Sequence, residues 1–172
     1  MLNQEMEVHV LKYMFNNGEG NAERISPILI EKAVGFFLEN QMMGDIVQGC
    51  EIKKETISHD LRTDFVTGDT CIEMKVLMRK QAGMNLGNLL HLMVSNKRNY
   101  SVLQEHYKRV VLLVVCEEGA CEGQMGESSI YKEEGKNLEE KLDQGVEVWI
   151  SSIRIEKDGI VLVSYQKIVP SD

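Results

Sequence analysis

The sequence lacks any apolar run long enough to cross a membrane, and its first residues, MLNQEME, lack the basic and then apolar pattern of a secretory signal. An excess of basic charge is also missing, because 19 lysines and arginines stand against 27 aspartates and glutamates. The net charge of −8 argues against a protein that holds nucleic acid by charge alone. We therefore expect a cytoplasmic protein in which any contact with nucleic acid comes from a local basic patch.

The residue patterns of several common kinds of functional site are absent. The four cysteines are scattered without a CxxC pair, which argues against an iron–sulfur cluster, and the four histidines include no HxxxH spacing. No phosphate loop, dinucleotide fingerprint or Ser-His-Asp set is present. Cys71 and Cys116 lie inside apolar runs, so we predict that both are small core residues.

The pattern of apolar residues predicts one α/β domain over residues 1–172. The length suits a single domain with a substantial core, and no repeat or low-complexity linker divides it. Apolar periodicity predicts helices at residues 3–15, 27–44, 86–107 and 137–144, a hairpin at 62–75, and strands at 46–52, 109–116, 146–156 and 160–168. This order favours a mixed central β-sheet with helices on its faces.

Two of these elements have strong local signals. Pro27 suits the first position of a helix, Ser26 suits the N-cap before it, and Gly44 is positioned to end the helix. Residues 109–116, RVVLLVVC, are almost entirely apolar. Such a run is typical of a central strand that is covered on both faces.

The predicted hairpin carries the most informative residues of the chain. The turn signal at residues 67–69, TGD, separates two apolar segments. Side chains alternate along a strand, so Glu73 and Lys75 share one face while Met74 points to the other. The short turn brings Asp64 back alongside Glu73 and Lys75. Two carboxylates on one sheet face repel each other unless another group compensates.

A divalent cation would supply that compensation. Asp64 and Glu73 offer hard oxygen ligands of the kind that magnesium prefers, and Lys75 lies where an attacking water or a phosphate needs a positive neighbour. The pattern of an aspartate followed by an acid-x-Lys also arises by chance, and a hairpin can simply present a solvated charged face. The flanking helices and the buried strand that follows favour the metal site.

The order of these elements resembles the PD-(D/E)XK nuclease superfamily. The pieces that carry the resemblance are Glu31 on an early helix, Asp64 at the end of one strand, and residues 73–75, EMK, on the next. Within that superfamily the chain from about residue 60 onward is similar to the sugar fermentation stimulation protein A family. The matching segments are residues 62–66 (RTDFV), 71–76 (CIEMKV), 109–116 (RVVLLVVC), 145–149 (GVEVW) and 158–160 (DGI).

The resemblance implies a restriction-endonuclease-like fold and a metal-dependent phosphodiesterase acting on DNA. Asp64 and Glu73 would bind Mg²⁺ or Mn²⁺, and the backbone carbonyl of Met74 could complete the coordination. Lys75 would orient the water or stabilise charge on the phosphate, and Glu31 could add an outer contact. Nucleases of this fold often pair to cut two strands, which leaves a homodimer open.

The nucleic acid would meet the basic residues of the chain. The candidates for phosphate contacts are Lys97, Arg98, Lys108 and Arg109, although a charged helix face is the commoner reason for such residues. DNA is the expected partner, with RNA left open. Two other functions remain open: a non-catalytic DNA-binding or regulatory protein that keeps the nuclease-like fold, and an assembly module whose charged hairpin is structural.

Overall fold

The computed structural model describes residues 10–12, 27–48, 51–53, 56–58, 61–78, 88–89, 97–120, 142, 145–156 and 159–170. The strands and helices in chain order are β1 Val10–Lys12, α1 Pro27–Glu39, β2 Thr56–Ser58, β3 Leu61–Arg62, β4 Phe65–Thr67, β5 Thr70–Leu77, α2 Lys97–His106, β6 Arg109–Glu117, β7 Val146–Glu156 and β8 Gly159–Val169. Among these described helices, none is long and apolar enough to span a membrane.

Six of the strands form one mixed sheet in the order β1-β8-β7-β6-β5-β4. Strands β5, β6 and β7 run parallel at its centre, and the outer pairings β4–β5, β7–β8 and β1–β8 are antiparallel. Strands β2 and β3 form a separate two-stranded ribbon. This architecture confirms the predicted α/β class with a mixed central sheet.

Strand β6 lies at the centre of the core and is buried on both sides, as its sequence predicts. The side chains that point to one face of the sheet pack with α1, and we call this side the α1 face; the opposite side, which packs with α2, is the α2 face. Along β6 the alternation places Val111, Leu113 and Val115 on the α1 face and Leu112, Val114 and Cys116 on the α2 face. Cys71 and Cys116 are fully buried on the α2 face, which confirms that both are core residues.

Helix α1 begins at Pro27 as predicted, but it ends at Glu39 and not at Gly44. Gln41 adopts a left-handed conformation with φ of 59°, and the Met42 amide donates to the Phe37 carbonyl at 2.9 Å. The Gln41 amide donates to the carbonyl of Leu38 at 3.2 Å. These two bonds form a Schellman cap, a motif that most often uses glycine. Glutamine in this position explains why the predicted end was wrong by several residues.

Two other predicted elements are wrong where the structure describes them. Residues 10–12 form strand β1 instead of part of a helix, because they pair with β8. The predicted strand at 46–52 is described at 46–48 and 51–52, where a turn at Ile46 is followed by irregular chain; the amides of Ile46 and Val47 both donate to the carbonyl of Met43. Ile46 and Val47 are nevertheless buried, so the apolar signal marked core residues and not a strand.

The remaining predicted elements are described in part or in full. The helix predicted at 86–107 is described at 88–89 and 97–106, where it is helical. The helix predicted at 137–144 lies almost wholly outside the described residues. The turn of the predicted hairpin is confirmed, because Thr67 pairs with Thr70 and Gly68 has a φ of 55°. The final pair of strands is also confirmed.

Truncation of a β6 side chain tests the central role of this strand. We expect Leu112→Ala to lower the free energy of unfolding by about 2–5 kcal/mol, because it removes methyl groups from a site with no exposed surface. Urea denaturation at neutral pH gives this quantity. The control is Gln166→Ala on the exposed face of β8, which should change stability by less than about 0.5 kcal/mol. Equal effects for the two variants would contradict the description of the core.

Candidate functional site

The antiparallel pairing of β4 with β5 brings Asp64 and Glu73 together. Phe65 pairs with Ile72, so one step further along the two chains Asp64 lies across from Glu73. Glu73 alternates with Cys71 along β5, and Cys71 belongs to the α2-face core. The predicted carboxylate pair is therefore present on the α2 face, at the point where the β4 pairing ends.

Glu73 is held in an environment that disfavours its charge. Burial raises the pKa of Glu73 to about 7, and the charge of Asp64 acts in the same direction. The Lys75 ammonium and the backbone N–H of Asp64 lower this pKa by smaller amounts. The Oε1 atom of Glu73 is shielded from solvent and has no hydrogen-bond partner among the described residues. Lys75 and the Asp64 N–H thus offset only part of the cost of burying this charge, and one of the two carboxylate oxygens is left without a partner.

The charge of Glu73 also affects the pKa of Cys71, two residues earlier on the same face of β5. Burial raises the pKa of the Cys71 thiol to about 12, and the charge of Glu73 contributes to the increase. A thiol with this pKa remains protonated at neutral pH and is a poor nucleophile or metal ligand. Cys71 therefore acts as a core packing residue next to the carboxylate pair.

Asp64 is fixed by a hydrogen bond to the neighbouring strand. Its Oδ2 atom accepts from the backbone N–H of Met74 at 2.7 Å. The N–H and C=O of one residue face the same side of a strand, so the Met74 carbonyl points to the edge that Asp64 occupies. This placement brings the three predicted ligand groups, from Asp64, Glu73 and Met74, to one short stretch of β5. It also shows that Asp64 has a structural role in closing the end of the β4–β5 ladder.

Lys75 and Glu31 occupy different positions relative to this pair. Lys75 is exposed and follows Glu73 by two residues on the same face of β5. Glu31 belongs to α1, which packs on the opposite face of the sheet. It is half-buried, and its Oε1 atom is shielded from solvent. An outer contact from Glu31 would have to pass around the edge of the sheet, and its role remains a prediction.

The carboxylate pair offers a cation a small number of protein ligands. The described residues contain no cluster of three or more His, Cys, Asp or Glu side chains suited to a metal. Two carboxylates and one carbonyl would leave several positions for water, which is the coordination that magnesium commonly keeps. The unpartnered oxygen and the raised pKa of Glu73 both fit a cation placed beside Asp64.

Two of the four predicted phosphate-binding residues, Lys108 and Arg109, lie at the start of β6. Lys108 is exposed, and its Nζ atom lies 2.9 Å from Oδ2 of Asp69, a hydrogen bond that raises the pKa of Lys108. Arg109 is ion-paired with Glu147 and also donates to the carbonyl of Ile46.

The structure therefore gives both of these predicted residues partners within the protein. Arg109 pairs in register with Thr70, three residues before Glu73, which corresponds to roughly 10 Å along β5. Lys97 and Arg98 form the first turn of α2, but their side chains lie outside the described part. Phosphate binding by the four residues remains a prediction.

Sequence reasoning missed the partner of Arg109. Glu147 is a charged residue flanked by Val146 and Val148 in a largely apolar strand. A charge in such a place indicates that the residue needs a partner. The identity of that partner depends on the parallel pairing of β6 with β7, where Val111 faces Glu147. This register joins residues that are far apart in the chain, so the ion pair was not predictable from local pattern.

The chain is thus an α/β protein with a mixed sheet. Asp64, Glu73 and Lys75 lie where the pairing of β4 with β5 ends. No family model matches the sequence, and no curated protein matches it. Among solved structures it is similar to SfsA of Pyrococcus furiosus, described in complex with Ca²⁺. The two share 18% identity with a TM-score of 0.46, and the match covers 83% of this chain and 64% of the other. A likeness at this level carries no argument about activity, and membership of the nuclease superfamily remains a prediction.

The raised pKa of Glu73 predicts a pH dependence of stability. Glu73 titrates near 4.5 when unfolded and near 7 when folded, so between these values the folded state binds the extra proton. The protonated Glu73 therefore favours the folded state fully below pH 4.5. This contribution to the free energy of unfolding is lost as the pH rises to 7. We expect Glu73→Gln to gain about 1–3 kcal/mol over the wild type between pH 4.5 and pH 8, measured by urea denaturation with a chelator present.

The control for this measurement is Glu39→Gln, which removes an exposed carboxylate from α1. Its stability difference from the wild type should change little across the same pH range. A constant difference between Glu73→Gln and the wild type from pH 4.5 to pH 8 would show that Glu73 is not in a charge-disfavouring environment.

Proposed function

We propose that this protein is a metal-dependent phosphodiesterase that acts on DNA and holds Mg²⁺ or Mn²⁺ between Asp64 and Glu73. The observation that carries the proposal is the buried, unpartnered Oε1 atom of Glu73 beside a second carboxylate. A protein gains nothing in stability from such an arrangement, because the two acids repel and one of them is desolvated. A bound divalent cation removes both costs.

The protein residues have separate roles in this proposal. Asp64, Glu73 and the carbonyl of Met74 hold the cation, and the hydrogen bond from Met74 keeps Asp64 in place. The cation supplies polarisation of the phosphate and a lower pKa for a bound water. Lys75, which is exposed beside Glu73, orients that water or stabilises charge that develops on the phosphate. An outer contact from Glu31, which lies on α1 across the sheet, would have to reach around the sheet edge.

Lys97, Arg98, Lys108 and Arg109 are proposed to contact the DNA backbone. Lys108 is more accessible than Arg109, since its side chain is exposed and its ion-pair partner Asp69 is exposed too. Binding of DNA through Lys108 would exchange this surface ion pair for a phosphate contact, at small cost because exposed ion pairs contribute little. Contacts between these basic residues and phosphates predict that binding weakens as salt increases, because each contact releases counterions from the DNA.

Metal binding can be measured by thermal unfolding of the wild type and Glu73→Ala with and without Mg²⁺ or Mn²⁺. We expect the metal to raise the wild-type midpoint, because a ligand at a hundredfold excess over its Kd adds about 2.7 kcal/mol. The midpoint of Glu73→Ala should not respond. Glu39→Gln, which lacks one exposed carboxylate of α1, should respond as the wild type does.

The outcomes separate the proposal from its alternatives. If neither metal moves the wild-type midpoint, either alone or with DNA present, the metal site is wrong. If Glu73→Ala responds as strongly as the wild type, the cation binds elsewhere. A metal response without any cleavage of DNA would favour the non-catalytic DNA-binding protein.

The role of Lys75 predicts a split between metal binding and cleavage. We expect Lys75→Met to keep the metal-dependent rise in midpoint, because the lysine is not a ligand. Cleavage of a labelled DNA by this variant should fall by about 10²–10³-fold, the loss typical when one group that stabilises transition-state charge is removed. Lys167→Met, which removes an exposed lysine of β8, three strands away from β5, should cleave as the wild type does. Unchanged cleavage by Lys75→Met would remove Lys75 from the mechanism.

A further inference from the structure

A lysine outside the regular strands is attached to the free edge of β4. The N–H of Lys53 donates to the carbonyl of Val66 at 3.1 Å, and the N–H of Val66 donates to the carbonyl of Lys53 at 2.7 Å. Val66 packs against the α2-face core, and directly opposite residues of an antiparallel bridge share a face. The preceding residue, Ile52, packs on the α1 face, as expected when side chains alternate. Lys53 therefore adds a basic side chain to the α2 face.

The α2 face is also the face that carries Asp64 and Glu73, and the register places Lys53 close to them. Lys53 lies opposite Val66, and Asp64 precedes Val66 by two residues. Such diagonal neighbours are about 7–8 Å apart, a distance that a long side chain can reach across. The two backbone hydrogen bonds to Val66 fix where the lysine side chain begins. Lys53 is thus positioned beside the proposed metal site by the fold itself.

Lys53 and Lys75 lie on opposite sides of the carboxylate pair. Val66 pairs with Cys71 on its other edge, so Lys53 is level with Cys71 across the sheet. Cys71 precedes Glu73 by two residues along β5, and Lys75 follows Glu73 by two. The two lysines are therefore about 13 Å apart along the strand direction, with Glu73 midway between them. Both lysines are exposed, whereas Glu73 is half-buried.

The partner of Lys53 within the protein holds it only weakly. The Nζ atom of Lys53 lies 3.3 Å from Oε2 of Glu51, and the two side chains are 66% and 79% exposed. An exposed ion pair of this kind contributes little to stability, because water and salt screen it. Lys53 can therefore exchange Glu51 for another anion at small cost. Glu51 would then remain as a negative charge beside the anion that replaces it.

A DNA strand laid across the metal site supplies such an anion. Every nucleotide of the strand carries a negative charge, so a phosphate at the cation has a neighbouring phosphate on each side. Lys75 follows Glu73 on β5 and acts on the phosphate that is cleaved. Lys53 lies on the other side of the pair, where the strand continues. A single phosphate group at the cation would leave Lys53 without a role.

We propose that Lys53 binds the phosphate next to the one that is cleaved, and that its ion pair with Glu51 weakens this contact. The inference rests on the proposed function, because it takes the cation between Asp64 and Glu73 as the place of cleavage. The substrate is then a strand that continues past the cut on the side of Lys53, and not an isolated phosphodiester. Lys53 contributes to the binding of this strand and takes no part in the chemical step.

The first experiment measures the affinity of the full chain for a labelled single-stranded DNA by fluorescence anisotropy, with a chelator present to prevent cleavage. We expect Lys53→Met to bind about tenfold more weakly than the wild type, because one charged hydrogen bond to a phosphate is lost. The slope of log affinity against log salt should become shallower by about 0.7, the value for one phosphate contact on a single strand. Lys53→Arg keeps the charge and should bind as the wild type does.

Two further variants separate a specific contact from a general effect of charge. Lys167→Met makes the same change of charge on β8 and should leave the affinity and the salt slope unchanged. Glu51→Gln removes the competing carboxylate and should tighten DNA binding about threefold, an effect that a purely structural ion pair would not produce. The thermal midpoint of each variant checks that it is folded. Equal losses for Lys53→Met and Lys167→Met, or no gain for Glu51→Gln, would overturn the inference.

Cleavage kinetics with Mg²⁺ then test the role of Lys53 in binding. We expect Lys53→Met to raise KM for DNA about tenfold with little change in kcat, and to keep the metal-dependent rise in thermal midpoint. A fall in kcat at saturating DNA would contradict a role in binding alone. If the wild type binds and cleaves DNA and Lys53→Met does both equally well, this inference is wrong and the proposed function stands. A wild type that neither binds nor cleaves DNA would overturn both.

Discussion

The burial of β6 on both faces is the constraint on which the rest of the structure depends. Its side chains from Val110 to Cys116 have no exposed surface, and the strand is paired on both edges, in parallel with β5 and β7, and covered by a helix on each face. That requirement sets the register of β5 and β7. The register in turn places Glu73 beside Leu112 and Glu147 beside Val111. The positions of these two glutamates are therefore consequences of how one apolar strand is paired.

The carboxylate pair is a local conflict within this packing. Glu73 lies on a strand whose neighbouring side chains, such as Cys71, are in the core, yet it must carry a charge or a proton there. Natural sequences keep such conflicts mainly at functional sites, where a ligand resolves them. The hydrogen bond between Met74 and Asp64, in contrast, is favourable by itself. It stabilises the end of the β4–β5 pairing whether or not a cation is bound.

The two faces of the sheet separate two kinds of polar arrangement. On the α2 face, acidic groups converge without enough donors, which suits a cation. On the α1 face, the charge of Arg109 is balanced by Glu147 within the protein. Arg109, which the sequence predicts to bind phosphate, also connects the sheet to the segment after α1 through its bond to the carbonyl of Ile46.

The sequence by itself determined the features that arise from short-range pattern: the start of α1 at Pro27, the buried strand β6, the turn at Gly68, and the placement of Asp64 and Glu73 on one hairpin. Each of these depends on residues a few positions apart. Only the tertiary structure decided that residues 10–12 are a strand, because their partners are residues 159–161. It also decided the partner of Arg109 and the pKa of Glu73, since burial and pairing between distant segments depend on the packed sheet and leave no periodic trace in the chain.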